Sequence, residues 1–257
     1  MHLFDTHTHL NAPRLYVRLQ DYYQKALAAG VQEFVTVGYD LETSKRAIEV
    51  ADQLAGVYAA IGIHPSELHR AGASDMVVIE AMLAHPKVVA LGEVGLDYHW
   101  KDVTPDVQAQ AFRRFIQMAK RHRLPLIIHS REAIENTYQI LYEEEADQVG
   151  GVMHCFSSTP EMAQKFIQLN FYISLGGPVT FLNARVPKEV AKMVPAQRLL
   201  IETDSPYLAP HPHRGQINEP SMLPLIADTI ATLRDCSYEE LALVTTANAR
   251  RLFQLDE

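Results

Sequence analysis

The sequence predicts a (β/α)8 barrel, in which eight parallel strands are each followed by a helix. Short apolar segments alternate with longer segments of helical periodicity along the whole chain, and eight such apolar segments can be counted. Strands buried on both faces are expected to be apolar throughout, as these segments are. A doubly wound open sheet is the alternative fold, but no Gly-x-Gly-x-x-Gly pattern follows the first segment.

Local signals place the elements along the chain. Thr104 as N-cap and Pro105 at the first helical position begin the clearest amphipathic helix. Ser237-Tyr238-Glu239-Glu240 has the pattern of a capping box and predicts an extra C-terminal helix through about Leu252. Because no linker or internal repeat interrupts this order, residues 1–257 are predicted to form one domain. The predicted strands cover residues 3–4, 33–37, 57–61, 88–91, 125–128, 151–153, 171–174 and 198–201.

The composition predicts a cytoplasmic protein that does not enter a membrane. The chain is 47% hydrophobic and 21% charged, as in ordinary globular proteins, and no apolar run reaches the roughly 18 residues that span a bilayer. Its 2 cysteines cannot build a disulfide framework, and no secretory signal begins the sequence. The net charge of -8 argues against unspecific binding along a DNA duplex. It is compatible with a nuclease whose bound cations supply positive charge locally.

Side chains that bind metal ions follow the predicted strands at their carboxyl ends, where barrels carry their active sites. His7 and His9 follow the first strand, and alternation in an extended segment directs both imidazoles to the same side. Two neutral imidazoles with this spacing suit a transition metal. The later strands end in His64, Glu93, His129, His154 and Asp204.

Each of these residues alone has an ordinary structural interpretation, such as a hydrogen-bonded histidine or a turn. Together at one rim, so many buried titratable groups would cost several kcal/mol unless cations compensate them. Six ligands suit two metal ions roughly 3.5–4 Å apart with one bridging carboxylate, and Glu93 on the middle strand is placed to bridge. Asp204 is expected to accept the proton of the attacking water. One ion would be completed by His7, His9 and Asp204, and the other by His129 and His154.

The identity of the two divalent ions stays open at this point. Imidazole-rich ligation favours Zn, Mn, Fe, Co or Ni over Mg, whereas nucleases often use Mg. The site with His129 and His154 has fewer charged ligands, so we expect it to bind its ion more weakly.

Seven motifs occur along the chain, namely FDTHTHL, IGIHP, GEVGLDY, LPLIIHSREA, HCFS, LLIETDSPYLAP and RGQINEP. They resemble those of the TatD-like metal-dependent hydrolases of the amidohydrolase superfamily, nearly end to end and in the same order and spacing. The resemblance implies a metal-dependent (β/α)8 barrel with deoxyribonuclease activity, commonly described as 3′-to-5′ exonuclease activity. It implies that His64 contacts substrate phosphate, and that Glu93 stands where several amidohydrolase relatives have a carboxylated lysine. The metal ligands that it implies are His7, His9, Glu93, His129, His154 and Asp204.

Further residues near the rim are candidates for substrate binding. Arg131 is placed to bind a phosphate oxygen, or else to form a salt bridge with a rim carboxylate. Trp100, on the loop predicted after the fourth strand together with Asp97, is placed to stack on a terminal base or to pack beneath that loop. Arg214 is placed to position phosphate or to organise the loop after the eighth strand. Glu202 is predicted to face away from its metal-binding neighbours and to be structural.

The residues predict metal-assisted hydrolysis, and the resemblance implies that the substrate is DNA. We therefore expect a 3′ exonuclease acting on single-stranded or frayed DNA, with Asp204 as general base and with Glu93 and His64 as further catalytic residues. No obligate protein partner is evident. A hydrolase of a small-molecule ester, lactone, amide or phosphotriester is the alternative, because no run of Lys and Arg marks the path of a strand. A scaffold protein that keeps only the fold is the third hypothesis, and the complete ligand set speaks against it.

Overall fold

A computed structural model describes residues 2–255 and confirms the predicted barrel. Eight parallel strands lie in one sheet in the order of the sequence, so that each strand is hydrogen-bonded to the next. The predicted domain of residues 1–257 includes residues 1, 256 and 257, which lie outside the described residues. The strands are β1 (Leu3–Thr8), β2 (Val31–Val37), β3 (Val57–Ile61), β4 (Val88–Asp97), β5 (Leu126–Arg131), β6 (Gly151–Met153), β7 (Phe171–Leu175) and β8 (Leu199–Ile201).

Helices connect the successive strands and surround the barrel. In the part of the chain that the structure describes, no helix is both long and apolar enough to cross a membrane. The helices are α1 (Pro13–Tyr16), α2 (Leu19–Ala28), α3 (Leu41–Gln53), α4 (Ala73–Met82), α5 (Pro105–His122), α6 (Ile134–Glu143), α7 (Pro160–Gln168), α8 (Arg185–Met193), α9 (Leu223–Leu233) and α10 (Tyr238–Leu252).

The predicted C-terminal helix is α10, and its capping box forms as expected. The Glu240 N–H donates to Ser237 Oγ over 3.1 Å, and the Ser237 N–H donates to Glu240 Oε2 over 2.8 Å. Both bonds satisfy N–H groups that have no partner within a helix.

We expect Ser237→Ala to lower the free energy of unfolding by about 1 kcal/mol, because the first turn of α10 loses its side-chain acceptor. Urea unfolding followed by circular dichroism measures this. Ser237→Asp is the matched control, since Asp caps a helix equally well and should leave stability nearly unchanged. Equal stability of the Ala and Asp variants would show that the cap contributes nothing.

The hydrophobic core has two parts, one between strands and helices and one inside the barrel. Alternation along β1 separates them, because Leu3 packs in the outer part and Phe4 in the inner part. Leu252 and Phe253 at the end of α10 join the inner part, and the rings of Phe4 and Phe253 lie 6.0 Å apart. Since Phe4 is near the start of its strand, α10 covers the amino-terminal end of the barrel. The opposite end carries the cavity described below.

Three strands extend at their carboxyl ends by three residues or more beyond the prediction, and the added residues include polar side chains. β1 continues to Thr8 instead of residue 4, β4 to Asp97 instead of residue 91, and β5 to Arg131 instead of residue 128. Every residue of β1 and β4 is buried. Polar side chains tolerate this burial because they pair with one another across the barrel. His7, Glu93 and Asp97 are therefore held on strands, and the prediction that Asp97 lies on a loop is wrong.

The first and last strands meet through individual hydrogen bonds, in a region that we call the seam. The Asp204 N–H donates to the His7 carbonyl over 2.9 Å. The Asp5 carboxylate accepts the Thr203 N–H over 2.9 Å and the Thr203 hydroxyl over 2.6 Å. The seam thus fixes the chain after β8 against β1, and it sets the position of Asp204 relative to His7.

Candidate metal centre

The predicted metal ligands converge at the carboxyl-terminal mouth of the barrel. All of them except His7 line a cavity of about 920 Å³, and His7 is completely buried. Barrels place their reactive groups at this end. The converging residues are His7 in β1, His9 after β1, Glu93 in β4, His129 in β5, His154 after β6 and Asp204 after β8.

His7, His9 and Asp204 form a first cluster. His9 Nε2 lies 3.3 Å from His7 Nε2 and 3.4 Å from Asp204 Oδ1. His9 Nδ1 donates to the Val37 carbonyl over 2.8 Å, so a neutral ring directs the lone pair of Nε2 into the cluster. Two ligands of a tetrahedral ion with bonds of about 2.0–2.1 Å are about 3.3 Å apart. The cluster therefore has the dimensions of a ligand set.

His129 and His154 form a second cluster with Glu93. Glu93 Oε1 lies 2.8 Å from His129 Nδ1 and 2.9 Å from His154 Nε2, and these two nitrogens are 3.3 Å apart. His129 Nε2 donates to Asp97 Oδ2 over 2.9 Å, which leaves the lone pair on Nδ1. This role of Asp97 is not among the predictions made from the sequence. The signal was its spacing from Glu93, because residues four apart in a strand share a face.

Glu93 connects the two clusters through its two carboxylate oxygens. Oε1 faces the second cluster, whereas Oε2 lies 3.6 Å from His7 Nε2 and 3.9 Å from His9 Nε2. Burial alone would raise the pKa of Glu93, but the charge of His154 and the close contacts with the other imidazoles hold it well below its usual value. Glu93 is therefore a carboxylate at neutral pH, with one oxygen directed at each cluster.

The electrostatics of the buried groups favour positive charge. Burial disfavours a charged His154, yet Glu93 and Glu202 raise the pKa of its imidazole well above the usual value. Carboxylates that stabilise an imidazolium in this position also stabilise a divalent cation. Within residues 2–255, His7, His9 and Asp204 are one group whose ligand atoms all lie within 4.8 Å of one another, and His64, Glu93 and His129 are another.

His64 lies at the edge of the second cluster and presents a donor to it. The Ser66 N–H donates to His64 Nδ1 over 3.1 Å, so a neutral ring carries its proton on Nε2. His64 Nε2 is 3.7 Å from Glu93 Oε1. Burial, together with the neighbouring His129, lowers the pKa of His64 to about 3. The ring is thus neutral at physiological pH and directs an N–H group towards the centre.

Glu202 does not face away from the site, contrary to the prediction. Its Oε1 accepts the Cys155 N–H over 2.6 Å and lies 3.3 Å from His154 Nδ1. The prediction extrapolated the alternation of β8, but that strand ends at Ile201 and the following chain turns, with a positive φ of 56° at Asp204. Alternation therefore does not apply from Glu202 onwards.

The predicted substrate residues occupy different places. Arg131 and Trp100 line the cavity, and the Trp100 side chain is 51% exposed rather than packed beneath its loop. Among the described residues, no carboxylate lies within ion-pair distance of Arg131. The Arg214 guanidinium lies 4.1 Å above the Phe181 ring, outside the cavity lining.

Comparison with known proteins adds to this geometry. A family model described as TatD related DNase matches residues 4–254. The chain is 48% identical over 254 residues to the metal-dependent hydrolase YabD of Bacillus subtilis. The aligned region covers 99% of this chain and 100% of that protein. It is 31% identical to the 3'-5' ssDNA/RNA exonuclease TatD of Salmonella typhimurium, over 98% of this chain and 99% of that one.

A solved structure has nearly the same fold. The crystal structure of YJJV, a TatD homologue from Escherichia coli K12, superposes with a TM-score of 0.94 at 29% identity. The match covers 99% of this chain and 98% of that one, so the barrel and its loops correspond almost throughout.

Proposed function

The chain belongs to the family of TatD-related DNases and is a metal-dependent hydrolase, and we propose that the bond it cleaves is a phosphodiester of DNA. The observation that carries this proposal is the position of Glu93, with one carboxylate oxygen directed at each histidine cluster. A carboxylate between two clusters is the arrangement of a two-metal site, which is typical of enzymes that displace an oxygen at phosphorus.

We propose that each cluster would hold one divalent ion and that the two sites would share Glu93. One ion would be held by His129, His154 and one oxygen of Glu93, and the other by His7, His9, Asp204 and the second oxygen of Glu93. The atoms directed at each centre are imidazole lone pairs and carboxylate oxygens, which suit Zn, Mn, Fe, Co or Ni and, less well, Mg.

The chemistry divides between the ions and the side chains. When bound, the two cations acidify the attacking water and stabilise the negative charge that develops on the phosphate. Asp204 accepts the proton of that water. Burial would raise its pKa, but the contact of its Oδ1 with His9 Nε2 and the other nearby imidazoles keep that pKa below the usual value, so the base is ionised at neutral pH. His64 donates its Nε2 hydrogen to a phosphate oxygen, which fixes the substrate against the centre.

The surroundings of the centre suit the end of a single strand. Arg131 offers five N–H donors for a phosphate, and the exposed indole of Trp100 offers a surface on which a base stacks. Both line the same cavity as Asp204. The Salmonella relative bears the name of a 3'-5' exonuclease on single strands. We therefore propose single-stranded 3′ ends of DNA as the substrate.

A small-molecule substrate is the second candidate, and the net charge of -8 favours it. Among the described residues around the cavity, Glu67 pairs with Arg70 over 3.3 Å, and Asp102 faces the same space as Arg131, so no excess of basic side chains offsets that charge. An acidic protein repels a polyanion. An ester, lactone, amide or phosphotriester that enters the cavity alone would experience no such penalty.

A cleavage time course distinguishes the two candidates. A single-stranded oligonucleotide labelled at its 5′ end is incubated with the protein in EDTA and then with added Mg or Mn, beside the Asp204→Asn variant as control for contaminating nucleases. We expect a metal-dependent ladder that shortens from the 3′ end and is absent in the variant. Metal binding without cleavage would refute the nuclease and leave the small-molecule hydrolase.

We expect Trp100→Ala to weaken oligonucleotide binding about tenfold, because one stacked base contributes about 1–3 kcal/mol. Arg131→Ala should weaken it similarly and reduce its salt dependence. Fluorescence anisotropy in an Asp204→Asn background measures binding without cleavage.

Arg121→Ala is the charge control. Arg121 lies in the last turn of α5, at the opposite end of the barrel, where it pairs with Glu80. Arg214→Ala tests the remaining candidate, for which we expect a smaller effect. Unchanged binding of the Trp100 and Arg131 variants would contradict the proposed strand path.

A further inference from the structure

Glu202 is completely buried, and only one of its carboxylate oxygens has a partner. Oε1 accepts the Cys155 N–H and contacts His154 Nδ1, at 2.6 Å and 3.3 Å. Oε2 has no hydrogen-bond partner among the described residues, and the same holds for Nδ1 of the buried His7. Buried polar atoms are almost always paired, because an unpaired one costs about 1–3 kcal/mol. Both atoms therefore call for an explanation.

The two unpaired atoms belong to side chains that lie together behind the centre. The rings of His7 and His154 stack with their centroids 4.0 Å apart and their planes at 18°. A ligand atom of His7, one of His154 and a carboxylate oxygen of Glu202 all lie within 4.8 Å of one another. A separation of at most 4.8 Å between a nitrogen of His7 and a carboxylate oxygen of Glu202 is short enough to be closed by a small side-chain shift or by one water molecule with two ordinary hydrogen bonds.

The two histidines need the same kind of partner. His7 and His154 both direct Nε2 towards Glu93. When these nitrogens bind ions, the proton of each neutral ring must lie on Nδ1. A carboxylate that accepts this proton fixes the tautomer and the ring orientation, and it makes the ligand more basic.

We infer that Glu202 is a positioning residue shared by both ion sites, which orients His154 through Oε1 and His7 through Oε2, directly or across one water molecule. The inference rests on the proposed ion sites, because His7 belongs to one and His154 to the other. Asp97 differs from Glu202 in this respect, since it contacts His129 alone of the ligand histidines. Glu202 would thus influence the affinity of both ion sites, whereas Asp97 would influence only the site that contains His129.

Glu202→Gln separates the two contacts. The Cys155 N–H requires an acceptor, so the amide oxygen should take the place of Oε1 and preserve the contact with His154. The amide nitrogen then faces His7 Nδ1, and two donors cannot bond directly. A water molecule between them would have to accept from both, so that His7 loses its link to a carboxylate in either arrangement. We expect the zinc affinity of the His7 site to fall 10- to 100-fold, the usual effect of losing such a partner, and that of the His154 site to change little. Asp97→Asn should weaken only the site that contains His129.

Two measurements on the purified protein test this. Competition with a chromophoric chelator gives the two zinc affinities, and single-site variants, His9→Ala and His129→Ala, assign each affinity to its site. Long-range ¹H–¹⁵N spectra of the zinc-loaded protein show the Nδ1–H signals, of which that of His7 should move in Glu202→Gln while that of His154 stays. Thermal unfolding of the same variant verifies that it is folded.

The outcomes separate the inference from the proposed nuclease activity. Wild-type zinc affinities and an unmoved His7 signal in folded Glu202→Gln would overturn the inference, as would weakening confined to the His154 site. A wild-type protein that binds fewer than two zinc ions would overturn the ion sites and the inference together. A protein that binds two ions with the expected pattern but cleaves no oligonucleotide would overturn the nuclease alone.

Discussion

The Asp204→Asn protein should lose turnover by roughly 10²–10⁴-fold while keeping its fold, because general-base catalysis contributes an acceleration of this size. Asn has the same shape as Asp and is among the residues that best tolerate the positive φ of this position, 56°. The amide cannot accept the proton of the attacking water. Initial rates of cleavage of a labelled oligonucleotide measure the loss, and circular dichroism verifies the fold.

A second carboxylate of the cavity supplies the control. Asp102 lines the cavity but belongs to neither cluster, so Asp102→Asn removes the same charge without removing the base. We expect this variant to keep most of its activity. Near-normal turnover of Asp204→Asn would refute the role of Asp204 as base, and equal losses in both variants would reduce that role to an effect of local charge.

Glu93→Gln should weaken the binding of both ions, which distinguishes it from every other ligand substitution. The change removes a negative charge that both clusters share, and it presents an amide nitrogen, which is no ligand, to one of them. We expect the affinity for each ion to fall on the order of 100-fold or more, since even the loss of a supporting hydrogen bond costs 10- to 100-fold. Metal analysis after dialysis against a weak chelator measures the number of ions retained.

The comparison with His129→Ala makes this test specific. His129 contacts only the second cluster, so its removal should weaken or empty one site and leave the other. If Glu93→Gln also loses one ion alone, Glu93 binds at a single site and does not bridge. Because both variants lower activity, the number of ions and not the rate decides between the two arrangements.

The positions of the strands were predictable from the sequence because each is a local property. An apolar segment such as residues 57–61 is long enough to be recognised by itself, and the observed β3 has the same bounds. The residues at the strand ends were predictable for a related reason. A parallel barrel brings all carboxyl ends to one rim whatever the register between the strands, so His7 and Asp204 had to meet there.

The supporting contacts were not predictable, because they depend on how distant strands are tilted and staggered. Glu202 contacts His154 only because the chain turns immediately after β8. Asp97 contacts His129 only because β4 continues past the point where its sequence stops being apolar. Polar residues that are buried and paired resemble loop residues when the sequence is read alone.

The seam between the first and last strands determines at which stage of synthesis the clusters of the candidate metal centre can be complete. His7 belongs to the first strand to be synthesised, whereas Asp204, whose N–H bonds to the carbonyl of His7, follows the last. A chain still growing on the ribosome therefore contains all four histidines of the two clusters before it contains the residue that should act as base. The first cluster can therefore be complete only after the chain that follows β8 joins β1 at the seam.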